Sequence, residues 1–125
     1  MSERVLVVED DDAARQLIGE ILRDAGFVVE LAANGAEGLA HLAQSRPDGI
    51  ILDLLMPQMD GMDFLLEARK RQDCEGIPVI VLSTSAHGGD LLVGTLGVRA
   101  ALAKPFELNE LLAVIARVFE NDQAV

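Results

Sequence analysis

The sequence predicts an α/β fold built around a parallel sheet, and two patterns support this prediction. Short runs rich in Val, Ile and Leu recur five times along the 125-residue chain. They alternate with longer segments in which apolar residues recur every three or four positions, which is the period of an α-helix. Strands that alternate with helices pair in parallel, because each helix crosses the sheet before the next strand begins. Half of the residues are hydrophobic, so a chain of this length can bury one substantial core.

The first half of the chain contains three predicted strands and the helices that follow them. Residues 5–8 form the first strand, and the helix after them ends at Gly26. Residues 28–31 form a half-polar second strand, as expected at the edge of a sheet. Residues 49–53 form the third strand, which ends in an aspartate. The helices carry apolar residues three and four positions apart, namely Ala14, Leu17, Ile18, Ile21 and Leu22, then Leu39 and Leu42, then Phe64, Leu65 and Ala68.

The second half contains two more predicted strands, separated by a segment with a weaker pattern. Residues 78–82 are nearly all apolar, which predicts a central strand covered on both faces. The segment 83–97 contains several glycines, so it predicts only a short helix around residues 90–93. Residues 100–103 form the fifth predicted strand, and an amphipathic last helix follows it. The apolar stripe of that helix comprises Leu108, Leu111, Leu112, Ile115, Val118 and Phe119.

Charge and the length of the apolar runs exclude several classes of function. Ten Lys and Arg against 21 Asp and Glu give a net charge of −11, so direct binding to nucleic acid is not expected. No apolar run approaches the roughly 20 residues that cross a bilayer, and the first residues do not resemble a signal peptide. We therefore expect a single-domain cytoplasmic protein with no membrane insertion. Cys74, the one cysteine, lies in the polar stretch RQDCEG and is expected at the surface.

Polar side chains stand at the ends of four of the five predicted strands. The first strand is followed by Glu9 and Asp10, the third ends in Asp53, and the fourth and fifth are followed by Ser83 and Lys104. The carboxyl ends of parallel strands lie at one edge of a sheet, where the ligand sites of such folds form. We therefore expect three acids, a hydroxyl and an ammonium group to converge there.

The expected cluster of three carboxylates requires a cation, because like charges at one site repel each other. Mg²⁺ suits such a site, since it takes one or two carboxylates and keeps waters that a phosphate oxygen can replace. Lys104 would pair with Asp53 or with an incoming phosphate, and Ser83 would offer its hydroxyl to a phosphate oxygen. Together these groups could neutralise a transferring phosphoryl group, with Asp53 as the nucleophile.

Four sequence blocks resemble the receiver domains of two-component response regulators. The blocks are VLVVEDD, IILDLLMPQMDG, IPVIVLS and LAKPF, in the order and spacing of that family, and the resemblance extends from residue 4 to about residue 119. It implies a flavodoxin-like, doubly wound sheet of five parallel strands in the order 2-1-3-4-5, with helices on both faces. It also implies that residues 1–125 hold one receiver domain, similar to the chemotaxis regulators, and that the Lys104–Pro105 peptide bond is cis.

The resemblance further implies roles for the clustered residues. Asp53 matches the phospho-acceptor of the family, Lys104 matches its lysine, and Ser83 matches its phosphate-sensing hydroxyl. The chain would not be an enzyme beyond catalysing its own phosphorylation and dephosphorylation. The implied ligands of Mg²⁺ are Glu9, Asp10, Asp53 and the backbone carbonyl of Leu55.

The partners that the resemblance implies are proteins. A sensor histidine kinase or a phosphotransfer protein would supply the phosphoryl group. The phosphorylated chain would then signal by docking on a downstream protein target through the region after Ser83.

Two details of the expected site stay open in the sequence. Thr84 or Ser85 would face the site in place of Ser83 if the register of the fourth strand slipped by one or two residues. Asp11 and Asp12 directly follow the acidic pair, and we interpret them as helix-capping residues rather than ligands.

Departures from the family pattern keep other functions open. Ala101 stands where most receivers carry an aromatic residue that changes rotamer on activation, so the chain could be a degenerate receiver that binds partners without phosphorylation. A Mg²⁺-dependent phosphohydrolase with an aspartate nucleophile is a further alternative, although Leu55 stands where such enzymes carry an acidic residue. The resemblance also fits a receiver that is part of a longer regulator or hybrid kinase.

Overall fold

A computed structural model of the chain describes residues 3–54, 61–71, 74, 76–84 and 92–120. The strands are β1 (Arg4–Val8), β2 (Val28–Ala32), β3 (Gly49–Asp53), β4 (Val79–Ser83) and β5 (Val98–Ala103). The helices are α1 (Asp12–Asp24), α2 (Gly35–Gln44), α3 (Gly61–Arg69) and α4 (Leu108–Ile115), and a π-helical turn at Ala116–Glu120 continues α4. All five strands pair in parallel in the order β2-β1-β3-β4-β5, which confirms the predicted fold class and strand order.

Two apolar clusters, one on each face of the sheet, form the core. Successive residues of a strand face opposite sides, so each inner strand supplies both clusters. On one face the sheet packs against Leu42 of α2 and Phe64 of α3, and on the other against Ile18 of α1 and Leu111 of α4. Every residue of β4 is buried, as predicted for a central strand, and so is every residue of β3. The strand β2 lies at the edge, as predicted, and buries only Ala32.

Helix ends and strand starts follow local sequence signals. Asp11 caps α1, where its carboxylate accepts the backbone N–H of Ala14 at 2.7 Å, and Asn34 caps α2 in the same way. Gly26 has a φ of +99°, a conformation that glycine adopts without strain at the end of a helix. The peptide bond between Lys104 and Pro105 is cis, as the resemblance implied.

Some expectations from the sequence need correction. Cys74 is buried, at 1% exposure, in the apolar cluster between α3 and the sheet, although its neighbours in sequence are polar. Its N–H donates to the carbonyl of Arg71 at 3.2 Å and its carbonyl accepts the N–H of Ile77 at 3.4 Å, and these bonds hold it beside that cluster. Leu108 is 53% exposed at the start of α4 rather than part of the buried stripe. The fifth strand begins at Val98, two residues before its predicted start, and a bulge follows its first pair.

The segment before β5 is described only in part. Residues 85–91, and with them much of the predicted short helix, lie outside the described residues. Residues 92–97 form turns, in which the N–H of Thr95 donates to the carbonyl of Leu92 at 2.9 Å. Across the described ranges, each helix is too short or too polar to cross a bilayer.

Candidate functional site

The carboxyl edge of the sheet collects the polar residues that the sequence singled out. Asp53 and Ser83 are the last residues of β3 and β4, while Glu9 and Lys104 directly follow β1 and β5. Backbone hydrogen bonds hold these strand ends in register: the N–H of Glu9 donates to Ala32, and that of Lys104 donates to Ser83, at 3.1 and 2.8 Å. The expected convergence of these side chains therefore follows from strand pairing.

Three carboxylates meet at this edge. Glu9, Asp10 and Asp53 each offer one carboxylate oxygen, and these atoms lie within 4.8 Å of one another. Glu9 is fully buried and Asp53 is 3% exposed, whereas Asp10 is exposed. A cluster with two buried acids and one exposed acid opens to solvent on one side, which is where an ion or a phosphoryl donor would enter.

Lys104 lies closer to Glu9 than to Asp53. Its Nζ donates to Oε1 of Glu9 at 2.6 Å and lies 3.4 Å from Oδ2 of Asp53. The second oxygen of Glu9, Oε2, accepts the backbone N–H of Asp11 at 3.3 Å. The expected pairing of the lysine with Asp53 is therefore present, but the shorter contact goes to the longer glutamate side chain.

The electrostatics of the cluster favour a bound cation. Burial raises the pKa of Asp53 to about 7, the hydrogen bond and charge of Glu9 add to this shift, and the charge of Lys104 opposes it. Burial alone would lower the pKa of Lys104, but its contacts with Glu9 and Asp53 outweigh this effect and raise it. Three acids against one ammonium leave excess negative charge, and all the donors are hard oxygens of the kind that Mg²⁺ prefers.

The burial of Ser83 and Thr84 bears on which residue at the end of β4 faces the site. Ser83 is buried at 7% exposure, whereas Thr84 is exposed. Ser83 is thus directed inward at the carboxyl edge. Ser85 lies outside the described residues, as does Leu55, whose carbonyl was expected among the metal ligands.

The structure also describes Asp11, Asp12 and Ala101, which the sequence singled out near the site. Asp11 is the helix cap that the sequence predicted, and Asp12 is the first residue of α1, where its carboxylate forms an ion pair with Arg15 rather than a cap. Ala101 is half-buried on β5 and packs against the core.

Two residues near the site were not identified from the sequence. Arg15 donates from Nη1 to the backbone carbonyl of Glu9 at 2.9 Å. Gly61 begins α3 so close to β3 that a β-carbon there would come within 2.7 Å of the carbonyl oxygen of Asp53. A signal existed for both: Arg15 lies within the first turns of the helix after the acidic pair, and Gly61 ends the turn sequence after the third strand.

Comparison with known proteins agrees with this geometry. The family model described as the response regulator receiver domain matches residues 5–116. The response regulator MprA of Mycobacterium ulcerans (strain Agy99) is 40% identical over 114 residues, which cover 90% of this chain and 48% of that protein. This chain thus spans about half the length of the curated relatives that it matches.

Solved structures of similar proteins share the fold. The chemotaxis protein CheY4 of Vibrio cholerae superimposes with a TM-score of 0.87 at 34% identity, covering 94% of this chain and 99% of that one. The receiver domain of the sensor histidine kinase PA1611 from Pseudomonas aeruginosa PAO1 gives a TM-score of 0.83 at 30% identity, covering 96% of this chain and 99% of that one. That structure has a magnesium ion coordinated in its active site cleft. The family model, the sheet order and the acidic cluster together show that this chain belongs to the response regulator receiver domains of two-component systems.

Proposed function

We propose that the chain is a phosphorylation switch in which Asp53 accepts a phosphoryl group with the help of Mg²⁺. The observation that carries the proposal is the position of the Asp53 carboxylate. It is 3% exposed, it shares a site within 4.8 Å with carboxylate oxygens of Glu9 and Asp10, and it lies 3.4 Å from the ammonium group of Lys104. This arrangement brings a nucleophile, a candidate cation site and a positive side chain together.

The proposed Mg²⁺ ligands are Glu9, Asp10, Asp53 and the backbone carbonyl of Leu55, the last of which lies outside the described residues. The donors in the described part fit the ion, because they are carboxylate oxygens whose mutual repulsion a divalent cation relieves. Glu9 can serve although both its oxygens accept hydrogen bonds, since each carboxylate oxygen has two lone pairs. When bound, Mg²⁺ would neutralise charge on the acids and on the transferring phosphoryl group.

The side chains of the chain itself would perform the remaining steps. An oxygen of ionised Asp53 forms a bond to phosphorus while the bond between phosphorus and the donor nitrogen breaks, and the donor imidazole keeps that electron pair. Lys104 lies close enough to move from Glu9 toward the new phosphoryl oxygens. Ser83, buried at the end of β4, would donate its hydroxyl to one of them.

The proposal extends to the phosphoryl donor, the downstream target and the cellular location of the chain. A sensor histidine kinase or phosphotransfer protein supplies the phosphoryl group, and the region after Ser83 docks on a downstream protein target. Nucleic acid is disfavoured as a direct partner of this chain by its net charge of −11. We place the chain in the cytoplasm, as one receiver domain over residues 1–125, either alone or within a longer regulator.

Two other functions have weaker support. A degenerate receiver would bind its partners without phosphorylation, and Ala101 favours it, because a half-buried alanine on β5 has no ring that could change rotamer. A phosphohydrolase would need an acidic residue two positions after Asp53, where the sequence has Leu55.

The intact mass of the protein after incubation with acetyl phosphate and Mg²⁺, quenched in acid, tests the proposal. We expect an addition of about 80 Da, the mass of one phosphoryl group, on the natural chain. The addition should be absent from Asp53→Asn and from samples with EDTA. Asp24→Asn is the matched control, because Asp24 is an exposed aspartate at the end of α1, and it should be phosphorylated normally.

A natural chain that gains no mass would contradict the proposal, provided that the stable phosphoryl analogue beryllium fluoride also leaves its amide NMR spectrum unchanged. That pair of results would favour the degenerate receiver. Turnover of external phosphate esters by the natural chain, lost in Asp53→Asn, would instead favour the phosphohydrolase.

A further inference from the structure

Arg15 reaches back from α1 to the chain segment that carries the acidic pair. Its Nη1 donates to the backbone carbonyl of Glu9 at 2.9 Å and lies 3.4 Å from the carbonyl of Asp10. Its Nη2 forms an ion pair with the carboxylate of Asp12. The side chain is only 13% exposed, although it lies on the first turn of a surface helix. The guanidinium of Arg15 is therefore held mainly by contacts with the protein rather than by solvent.

The two carbonyls belong to the short connection between the sheet and α1. The ladder of β1 ends at Val8, and after it the N–H of Glu9 makes one further bond to Ala32. Beyond that point the direction of each carboxylate depends on how the peptide planes on either side of it are rotated, although Lys104 and the N–H of Asp11 also hold the carboxylate of Glu9. A planar guanidinium has several donors in a rigid fork, so Nη1 can contact both carbonyls while Nη2 pairs with Asp12. Arg15 therefore restrains the backbone from which Glu9 and Asp10 project.

We propose that Arg15 is a positioning residue for Mg²⁺: it holds the Glu9–Asp10 connection in the conformation that directs both carboxylates to the metal site. The inference rests on the proposed Mg²⁺ site and adds a residue that touches neither the ion nor the phosphoryl group. Mg²⁺ demands near-ideal octahedral geometry, so a small displacement of its ligands weakens binding. Groups that orient metal ligands typically contribute 10- to 100-fold to metal affinity.

Calorimetric titration of the metal-free protein with MgCl₂ tests this role. We expect Arg15→Ala to bind Mg²⁺ about 10-fold more weakly than the natural chain, and Arg15→Lys, which keeps one donor group and the charge, to lose about threefold. Arg23→Ala is the matched control for charge, because it removes the same charge from the exposed end of α1. Asp12→Asn breaks the ion pair but leaves the carbonyl contacts. Both controls should stay within about twofold of the natural chain.

A second readout separates positioning from general loss of structure. In the acetyl phosphate assay, Arg15→Ala should need about 10-fold more Mg²⁺ for half-maximal rate, yet reach the natural rate at saturating Mg²⁺. A purely structural defect would lower the maximal rate as well. Amide NMR spectra in EDTA verify that each variant is folded, and if Arg15→Ala is not, the threefold loss in Arg15→Lys decides.

Three results would overturn the inference. They are natural Mg²⁺ affinity in a folded Arg15→Ala, an equal loss in Arg23→Ala, or natural affinity in Arg15→Lys when the alanine variant is unfolded. Failure of the proposed function looks different, because the natural chain itself would then bind no Mg²⁺ and gain no phosphoryl group.

Discussion

Arg69 joins three backbone segments at the edge of the sheet opposite the acidic cluster, and we expect its removal to interact strongly with a change at Gly97. The last residue of α3, it donates from Nε to the carbonyl of Leu96 at 2.7 Å, from Nη1 to Cys74 at 2.6 Å and from Nη2 to Ile77 at 2.9 Å. Gly97 lies beside it with a φ of +79°, and a β-carbon there would overlap Nη2. The guanidinium thus occupies space that only a glycine leaves free.

The magnitudes follow from these contacts. A hydrogen bond that involves a charged group contributes about 1.5–3 kcal/mol net, and water partly replaces such bonds at a half-buried site. Arg69→Met keeps the packing of the stem and loses all three donated bonds. At about 1 kcal/mol for each bond after partial replacement by water, we expect a loss of about 3 kcal/mol in the free energy of unfolding. Gly97→Ala costs about 1 kcal/mol for a side chain at positive φ, plus about 2 kcal/mol for displacing the guanidinium.

The two changes should therefore not be additive. Once Arg69 is replaced, the alanine at position 97 meets no guanidinium and costs only its backbone strain. The double variant should lose about 4 kcal/mol rather than the sum of about 6 kcal/mol, which is a coupling of about 2 kcal/mol. Distant, independent residues would instead give additive changes.

Urea unfolding followed by far-UV circular dichroism measures these values, since the chain has no Trp for fluorescence. Gly94→Ala is the matched control: Gly94 has a φ of +92°, but its β-carbon would meet nothing within 4 Å. It should cost about 1 kcal/mol with or without Arg69. If Gly97→Ala costs no more than Gly94→Ala, or adds fully to Arg69→Met, then the guanidinium does not constrain this turn and the reasoning is refuted.

Two further predictions concern ionisable groups. Because burial and the charge of Glu9 raise the pKa of Asp53 to about 7, the metal-free natural chain should lose stability as the pH rises from about 4 to about 7. Asp53→Asn should lack this loss and be more stable than the natural chain by about 2 kcal/mol at pH 8 in EDTA. We expect this difference in stability to narrow when Mg²⁺ is added. Equal pH profiles of unfolding for the two proteins would contradict the prediction. Burial alone would raise the pKa of Glu30, but its contacts with Arg4 and His41 hold the pKa below its usual range. Ionised Glu30 therefore stabilises the fold above its usual pKa, and this contribution is lost as the pH falls through the lowered pKa. Glu30→Gln should cost about 0.5 kcal/mol at pH 7 and nothing near pH 2, measured by thermal unfolding, and no difference at pH 7 would disprove the contribution.

The sheet and the strand-end residues could be predicted because their signals are local. An apolar run that ends in a polar residue marks both a strand and its carboxyl end, and parallel pairing then brings all such ends to one edge. Glu9, Asp53, Ser83 and Lys104 are therefore placed at that edge without knowledge of any side-chain contact. The same reasoning placed β2 at the edge and β4 in the centre, as the structure shows.

The remaining features depend on side-chain reach, which pattern and period do not encode. The position of Arg15 in the first turn of α1 places it near the acidic pair, but the pattern does not indicate that its side chain turns back to the carbonyl of Glu9. Nor does the pattern of α3 indicate that Arg69 contacts three separate backbone segments. Cys74 was expected at the surface because its neighbours are polar, but outside regular helices and strands the polarity of neighbours does not fix the direction of a side chain. The preference of Lys104 for Glu9 depends on the length of the glutamate side chain.

The unequal distances from Lys104 relate the stability of this site to its chemistry. With Nζ at 2.6 Å from Glu9 and 3.4 Å from Asp53, the ammonium compensates the glutamate more closely and leaves Asp53 as the less neutralised of the two buried acids. A buried carboxylate with a pKa raised to about 7 is more basic than an ordinary aspartate and gains more from an incoming cation. The burial and repulsion that destabilise ionised Asp53 in the metal-free protein are thus costs that a bound Mg²⁺ would relieve in the proposed site. Clusters of acids that cost stability in this way persist where a site uses them, and here they surround the proposed phospho-acceptor.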